Sequence, residues 1–374
     1  MVPLRFRLAH FAGLAAVVLV VAGTAAAATR TLASPELLSA PTLTPRASPV
    51  RDRIVARAPR SLADDAWWGG PITDSRGETF KFYVSRQYPQ DEAVRARWAN
   101  LLGWAVHGKE VLKLTVYQAP LAQVQQLCGG GVDVLACYFP GRSQIVFPGD
   151  ASDPSHGPLN LSEILLHEYG HHIAANRRND PWPAIDWGSK YWASFENICA
   201  RAQTLQVHPG DEGPFYLLNP GEAFAETYRL MNVQRAEKSN PSWYHSWGEP
   251  LPWQWQSFSH TGATINALQK DVEHPWGGQR TFRWTGRTPR TKHAPGVTFA
   301  AVAQRRIYPN LDGTITLVLN KGPRGAFISV QRPNGVGMSA RHSITTQVCG
   351  ESWLTLSVTT IKGRRPFRVT YSLP

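Results

Sequence analysis

The run His167-Glu168-Tyr169-Gly170-His171 places two imidazoles four residues apart with a carboxylate between them. On an α-helix, residues at i and i+4 project from one face one turn apart, so both imidazoles can reach a single tetrahedral ion. Glu168 sits about 100° round the helix, beside that ion without being required to ligate it. A base must stand there to take a proton from water at the metal. The run therefore predicts one zinc ion and hydrolysis by a metal-activated water, with Glu168 first as general base and then as proton donor to the leaving amine.

Two imidazoles leave zinc short of a third protein ligand. A metzincin extension of the motif would need Gly at 174 and His at 177; Ala174 and Arg177 stand there, which excludes that class. Downstream candidates are Glu196, His208 and Glu222. Glu222 is the best placed, because Glu226 one helical turn on can accept a hydrogen bond from the non-metal nitrogen of a ligand histidine and fix its tautomer. Glu196 has no acid four residues later. His172 points about 100° away from His171 and reads as a structural residue.

HExxH with a ligand Glu and a second acid on a later helix resembles the gluzincin peptidases. Closer still, Glu222-Ala223-Phe224-Ala225-Glu226-Thr227-Tyr228-Arg229-Leu230-Met231 is similar to the second metal helix of the anthrax lethal factor catalytic domain. The resemblance spans about residues 79 to 236 and implies a zinc endopeptidase. That family places a tyrosine just upstream of the ligand Glu to stabilise the oxyanion. Here Tyr216 lies six residues before Glu222, one off the register, where Phe215 stands. Tyr228 and His208 are the alternatives for that role. In gluzincins the substrate backbone pairs antiparallel with an edge strand beside the motif helix, which implies such a role for the hairpin strand at residues 145 to 147 or, if that is not the free edge, for its hairpin partner.

The elements that must position these residues are legible as patterns. Asn160 as N-cap with Glu163 three residues on starts a helix running to about Arg177. Before it, residues 80 to 84 and 112 to 117 read as strands, 92 to 106 and 121 to 127 as helices, and 136 to 147 as a hairpin at a sheet edge. Helices are expected over 190 to 203 and 221 to 236. Beyond Arg290, short β-rich runs separated by Gly, Pro and Asn turns suggest an antiparallel β-sandwich. The expected fold is α+β: a zincin-like domain with a small mixed sheet and a helical subdomain (79 to 285), then the sandwich (290 to 374).

The chain of 374 residues is long enough for two folded units. Residues 1 to 28, with Arg5 and Arg7 ahead of an uncharged apolar stretch and small residues at 25 to 28, read as a signal peptide and imply a secreted protein without stable membrane insertion. Residues 29 to 78 read as a Pro/Arg-rich linker or prosegment; up to 60 they hold neither Cys nor His, so they offer no thiolate or imidazole to silence a metal. Net charge is +12, but outside the first 60 residues there are 31 Lys and Arg against 25 Asp and Glu. That mild excess argues against nucleic acid as a partner and leaves room for weak attraction to anionic cell-surface polymer.

Four cysteines in an oxidising compartment suggest two disulfides. Gly129-Gly130-Gly131 lets the chain turn back between Cys128 and Cys137, leaving Cys199 with Cys349. Six of the fourteen Trp lie between 243 and 284, at irregular spacing. If they were exposed, a wall-binding protein with a non-catalytic metal domain would be the rival to a peptidase with a protein or peptide substrate.

Overall fold

A computed structural model describes residues 51–59, 62, 66–150, 152–153, 157–350 and 353–374. The chain divides into two compact units, 1–46 and 47–374. The first, which contains the expected signal peptide, lies outside the described residues, as do residues 47 to 50.

The second unit has an α+β layout. Its first sheet is built from β1 (Arg51–Ile54), β2 (Trp67–Thr73), β3 (Thr79–Ser85), β4 (Thr115–Ala119), β5 (Val134–Phe139) and β6 (Gln144–Pro148), in the spatial order β1-β5-β6-β4-β3-β2. β3, β4 and β6 run parallel, β5 is antiparallel to β6, and β1 is parallel to β5. Two helices link these strands, α1 (Glu92–Trp104) and α2 (Leu121–Cys128). β3 alternates exposed and buried residues along much of its length, as a strand with one covered face must.

Two points differ from the sequence reading. β1 and β2 lie in the stretch expected to be linker or prosegment. β1 is too short and too charged to carry a periodic signal, and in β2 the run Gly69-Gly70-Pro71 interrupts the alternation and reads as a turn. β6 is no free edge either: it lies between β5 and β4, and the outer side of β5 is covered by β1.

After the two-residue strands β7 (Ser152–Asp153) and β8 (Gly157–Pro158) comes α3 (Leu161–Ala175). Asn160 Oδ1 accepts from the Glu163 amide at 3.0 Å, and Asn160 Nδ2 donates to Glu163 Oε1 at 3.0 Å, so the cap is closed from both sides. α3 is buried all round and packs against β5, β6 and the long helix α7. Between them come α4 (Ala184–Trp187), α5 (Lys190–Phe195) and α6 (Ile198–Gln203). The stretch 190 to 203, expected to be helical, forms two short helices, with the break where Asn197 takes a left-handed φ of 54°. Then follow α7 (Pro220–Ser239), α8 (Pro241–His245) and α9 (Gly262–Glu273).

α3 and α7 approach closely at one point. A Cβ on Gly170 would stand 2.6 Å from Ala225 Cα, so only glycine permits this crossing. The crossing sets residues 167 and 171 of one helix against 222 and 226 of the other.

The C-terminal module comprises β9 (Arg280–Arg287), β10 (His293–Ala294), β11 (Val297–Thr298), β12 (Ala301–Ile307), β13 (Gly313–Lys321), β14 (Phe327–Gln331), β15 (Gly337–Ala340), β16 (Ser343–Val348), β17 (Leu354–Thr360) and β18 (Pro366–Leu373). Sheets β12-β17-β14-β15 and β16-β13-β18-β9 enclose one core that includes Leu317, Ile328, Leu356 and Val369. β9 belongs to this module, ahead of the expected boundary, because Phe282 and Trp284 pack onto Tyr371 and Phe367.

Disulfides join Cys128 to Cys137 and Cys199 to Cys349, the second tying α6 to the module. Buried Lys190 adds a polar link by donating to the carbonyls of Asp180 (2.7 Å) and Asp312 (3.0 Å). None of the six Trp between 243 and 284 is exposed, so they do not form a stacking surface. Among the described residues, no helix is long and apolar enough to cross a membrane.

Candidate metal centre

At the α3–α7 crossing, one nitrogen of each of His167 and His171 and one oxygen of each of Glu222 and Asp52 lie within 4.8 Å of one another, a buried group that could hold a metal ion. Glu222 Oε2 is 3.3 Å from both His167 Nε2 and His171 Nε2. Asp52 Oδ2 is 2.8 Å from His171 Nε2 and 3.5 Å from His167 Nε2. Both imidazoles therefore turn their Nε2 inward.

The tautomer of His167 is held from behind. Its Nδ1 lies 3.0 Å from Glu226 Oε2, and Arg229 clamps Glu226 through Nε (2.8 Å) and Nη2 (2.6 Å) while also pairing with Glu163. Burial alone would raise the Glu226 carboxyl, but the Arg229 guanidinium and the His167 hydrogen bond outweigh it and hold it at about 2. Glu226 is thus a fixed anion that favours Nδ1–H on His167 and leaves Nε2 free to ligate. Trp255 stacks on the same ring, with centroids 5.6 Å apart.

Charge balance argues that a cation fits. Asp52, Glu222 and Glu168 are all buried around two imidazoles, and Glu222 Oε1 and both Glu168 oxygens have no hydrogen-bond partner among the described residues. Unpaired carboxylates in a low-dielectric interior are costly unless a cation or protons neutralise them. The Glu168 carboxyl is accordingly raised, by burial first and then by the Asp52 charge. Burial opposes charge on His171, yet the Glu222 and Asp52 carboxylates lift it to about 10. Two imidazole nitrogens with carboxylate oxygens form a donor set suited to a borderline divalent ion such as zinc.

The remaining sequence candidates fall on either side of this centre. Tyr216 is buried beside it, and its hydroxyl donates to Asp52 Oδ1. Glu196 caps α5 and accepts from the Ser259 amide (3.3 Å) and Thr264 hydroxyl (3.5 Å), outside the cluster. His208 stacks on Phe215, centroids 4.0 Å apart, and is likewise outside. Tyr228 donates to the Val106 carbonyl at 2.7 Å. His172 is buried between the Tyr138 hydroxyl (3.0 Å) and the Glu110 carbonyl (2.9 Å); burial lowers its pKa to about 4, so it is neutral.

A cavity of about 270 Å³ opens beside His167, Glu168 and Tyr216, with apolar walls that include Leu135, Ile164, Leu251 and Trp255. Sequence reasoning missed Asp52, Arg229 and Trp255. Arg229 was detectable as the i+3 partner of Glu226. Asp52, flanked by Arg51 and Arg53, follows no ligand spacing, and only the fold brings it here. No protein-family model matches the chain, and neither does any curated protein.

Proposed function

We propose that this chain is a secreted zinc-dependent endopeptidase of the gluzincin kind, with a catalytic part similar to the lethal-factor domain. The observation that carries the reading is the convergence of two inward Nε2 atoms and Glu222 with an unpartnered Glu168 carboxylate at the mouth of an apolar cavity. Zinc in this set supplies Lewis acidity toward water and a carbonyl oxygen. His167, His171 and Glu222 hold the ion, and Glu226 and Arg229 fix the His167 tautomer.

Glu168 is free to take a proton from water and return it to the leaving amine. Tyr216 can donate to a developing oxyanion once its hydroxyl is not engaged by Asp52. The apolar cavity suits a hydrophobic substrate side chain next to the cleaved bond. Two disulfides agree with an oxidising compartment. A second reading, a closed metal site in a binding protein, draws on Asp52 as a fourth donor.

Two measurements test the proposal: zinc content, and the release of new amino termini from an unstructured protein. Glu222→Ala should lower zinc affinity by more than the roughly 10- to 100-fold typical of losing a ligand's hydrogen-bond partner. Glu196→Ala should leave it unchanged. Equal zinc retention in both would remove Glu222 from the ligand set, and a zinc-free wild type would end the proposal.

A further inference from the structure

β1 is an unusual strand. Of its four side chains only that of Asp52 is buried, so hydrophobic burial contributes little to holding it. It is instead held by polar contacts along both edges. On one side it pairs in parallel with β5, Asp52 opposite Ala136 and Ile54 opposite Tyr138. The Arg51 amide donates to the Asp133 carbonyl at 3.1 Å and the Val55 amide to the Tyr138 carbonyl at 2.9 Å. On the other side the Asp52 amide approaches the Tyr216 hydroxyl at 3.4 Å, and the Ile54 amide donates to Glu212 Oε2 at 3.3 Å. The strand spans the cleft as a bound extended peptide does.

The consequences meet at one carboxylate. Asp52 Oδ2 stands among the inward donors, and Asp52 Oδ1 takes the Tyr216 hydroxyl. A catalytic zinc site keeps a position open for water or substrate, whereas a fourth protein donor makes a site of the closed, structural kind. We infer that residues 51 to 54 are a built-in blocking peptide, with Asp52 as a displaceable fourth ligand that keeps the site latent. This rests on the peptidase reading above and deepens it by naming the regulation of that site. Release of the strand would open three things together: the coordination position, the Tyr216 hydroxyl and the β5 edge on which a substrate backbone can pair.

The test is the full chain loaded with Co²⁺ and titrated with acetohydroxamate, the visible spectrum reporting any new ligand. A site open only in a minor fraction of molecules binds with an affinity reduced by that fraction. Asp52→Ala should therefore bind hydroxamate at least about tenfold more tightly than wild type. Asp52→Asn keeps the volume and the strand's backbone bonds, and carries the same comparison should the alanine variant fail to fold. Equal hydroxamate affinity in all three proteins would overturn the latch, and so would loss of Co²⁺ from both variants, since Asp52 would then be an obligatory ligand. Absence of Co²⁺ from wild type as well would instead defeat the metallopeptidase reading.

A separate observation concerns charge. Residues 280 to 374 hold 15 Lys and Arg against only Asp312 and Glu351, whereas residues 61 to 279 hold 16 against 23 acids. The mild excess of the whole body thus hides two parts of opposite sign. Arg287, Arg290, Lys292, Lys362, Arg364 and Arg365 are all exposed at one end of the module. Their two loops are bound together: the Thr288 amide donates to the Arg365 carbonyl (3.0 Å), the Arg364 amide to the Thr288 carbonyl (3.1 Å), and the Gly363 amide to Thr291 Oγ1 (2.7 Å). At the same end Val297, Phe299 and Ile361 are 51%, 50% and 65% exposed. The Phe299 amide donates to the Lys292 carbonyl (2.9 Å), and β12 sets Ala301 opposite Thr360, so Phe299 and Ile361 both leave the sheet at this end.

We propose that this tip docks on an anionic phospholipid surface. Six cations without an acid complement a negative leaflet, and three apolar side chains enter the interface beneath the headgroups. A soluble polyanion would use the cations and leave the apolar group in water. The experiment is co-sedimentation of the full chain with phosphatidylcholine vesicles with or without phosphatidylglycerol. Binding should need phosphatidylglycerol and should fall at least about tenfold both in Lys362→Glu/Arg364→Glu and in Phe299→Ser/Ile361→Ser. No binding to the anionic vesicles would overturn the proposal. An effect of the charge pair alone, with equal retention on DNA, would overturn it too, because the partner would then be a soluble polyanion.

Discussion

Glu168→Gln is expected to lower peptide hydrolysis by about 10²- to 10⁴-fold, the usual range for a positioned general acid–base group. Gln keeps the volume of a fully buried side chain but cannot take up a proton. Glu168 is not among the four converging donors, so zinc content should stay at the wild-type level. The loss should fall on kcat more than on KM, because the carboxylate serves the proton transfers rather than binding. Because Asp52 faces the same centre, the comparison belongs both in wild type and in Asp52→Ala, with single-turnover cleavage and bound zinc measured on the same samples. Unchanged cleavage in the Gln variant would remove Glu168 from the chemistry; loss of zinc along with activity would make it a ligand.

The second large effect is on stability. Arg229→Met should destabilise the fold by about 3–5 kcal/mol, because it strands two buried carboxylates, Glu163 and Glu226, that the guanidinium now pairs. Arg229→Lys should recover only part of this, since an ammonium cannot span both acids with a planar fork. The double variant Glu163→Gln/Arg229→Met should recover some of the loss by neutralising one of the stranded acids, a coupling that a double-mutant cycle in chemical denaturation reads directly. Metal affinity should drop in Arg229→Met as well, because Glu226 loses the partner that holds it against His167 Nδ1. A variant as stable as wild type would show that the network carries little of the fold's stability.

Much of the centre could be read from local spacing. A helix dictates that residues four apart share a face, so His167 with His171 and Glu222 with Glu226 were recognisable as pairs before any fold was known. The Asn160 cap, the strand at residues 80 to 84 and the change to β-rich runs near the C-terminus were local as well, because capping and side-chain alternation are properties of a few consecutive residues. Where local signals were weak, the reading failed. A four-residue strand such as β1 has no measurable periodicity, and the break at Asn197 rests on one left-handed residue inside an otherwise helical run.

The amino-acid sequence by itself determined that this protein carries two imidazoles and a base on one helix, an acid pair on another, and a β-rich C-terminal part; each follows from spacing along the chain. Only the tertiary structure decided which acids meet the histidines, since that depends on a helix crossing narrow enough to need Gly170 against Ala225. It also decided that Asp52, 115 residues before His167, shares their site. Strand pairing between distant segments is set by the edges a folded sheet leaves open, and no spacing rule reaches that far.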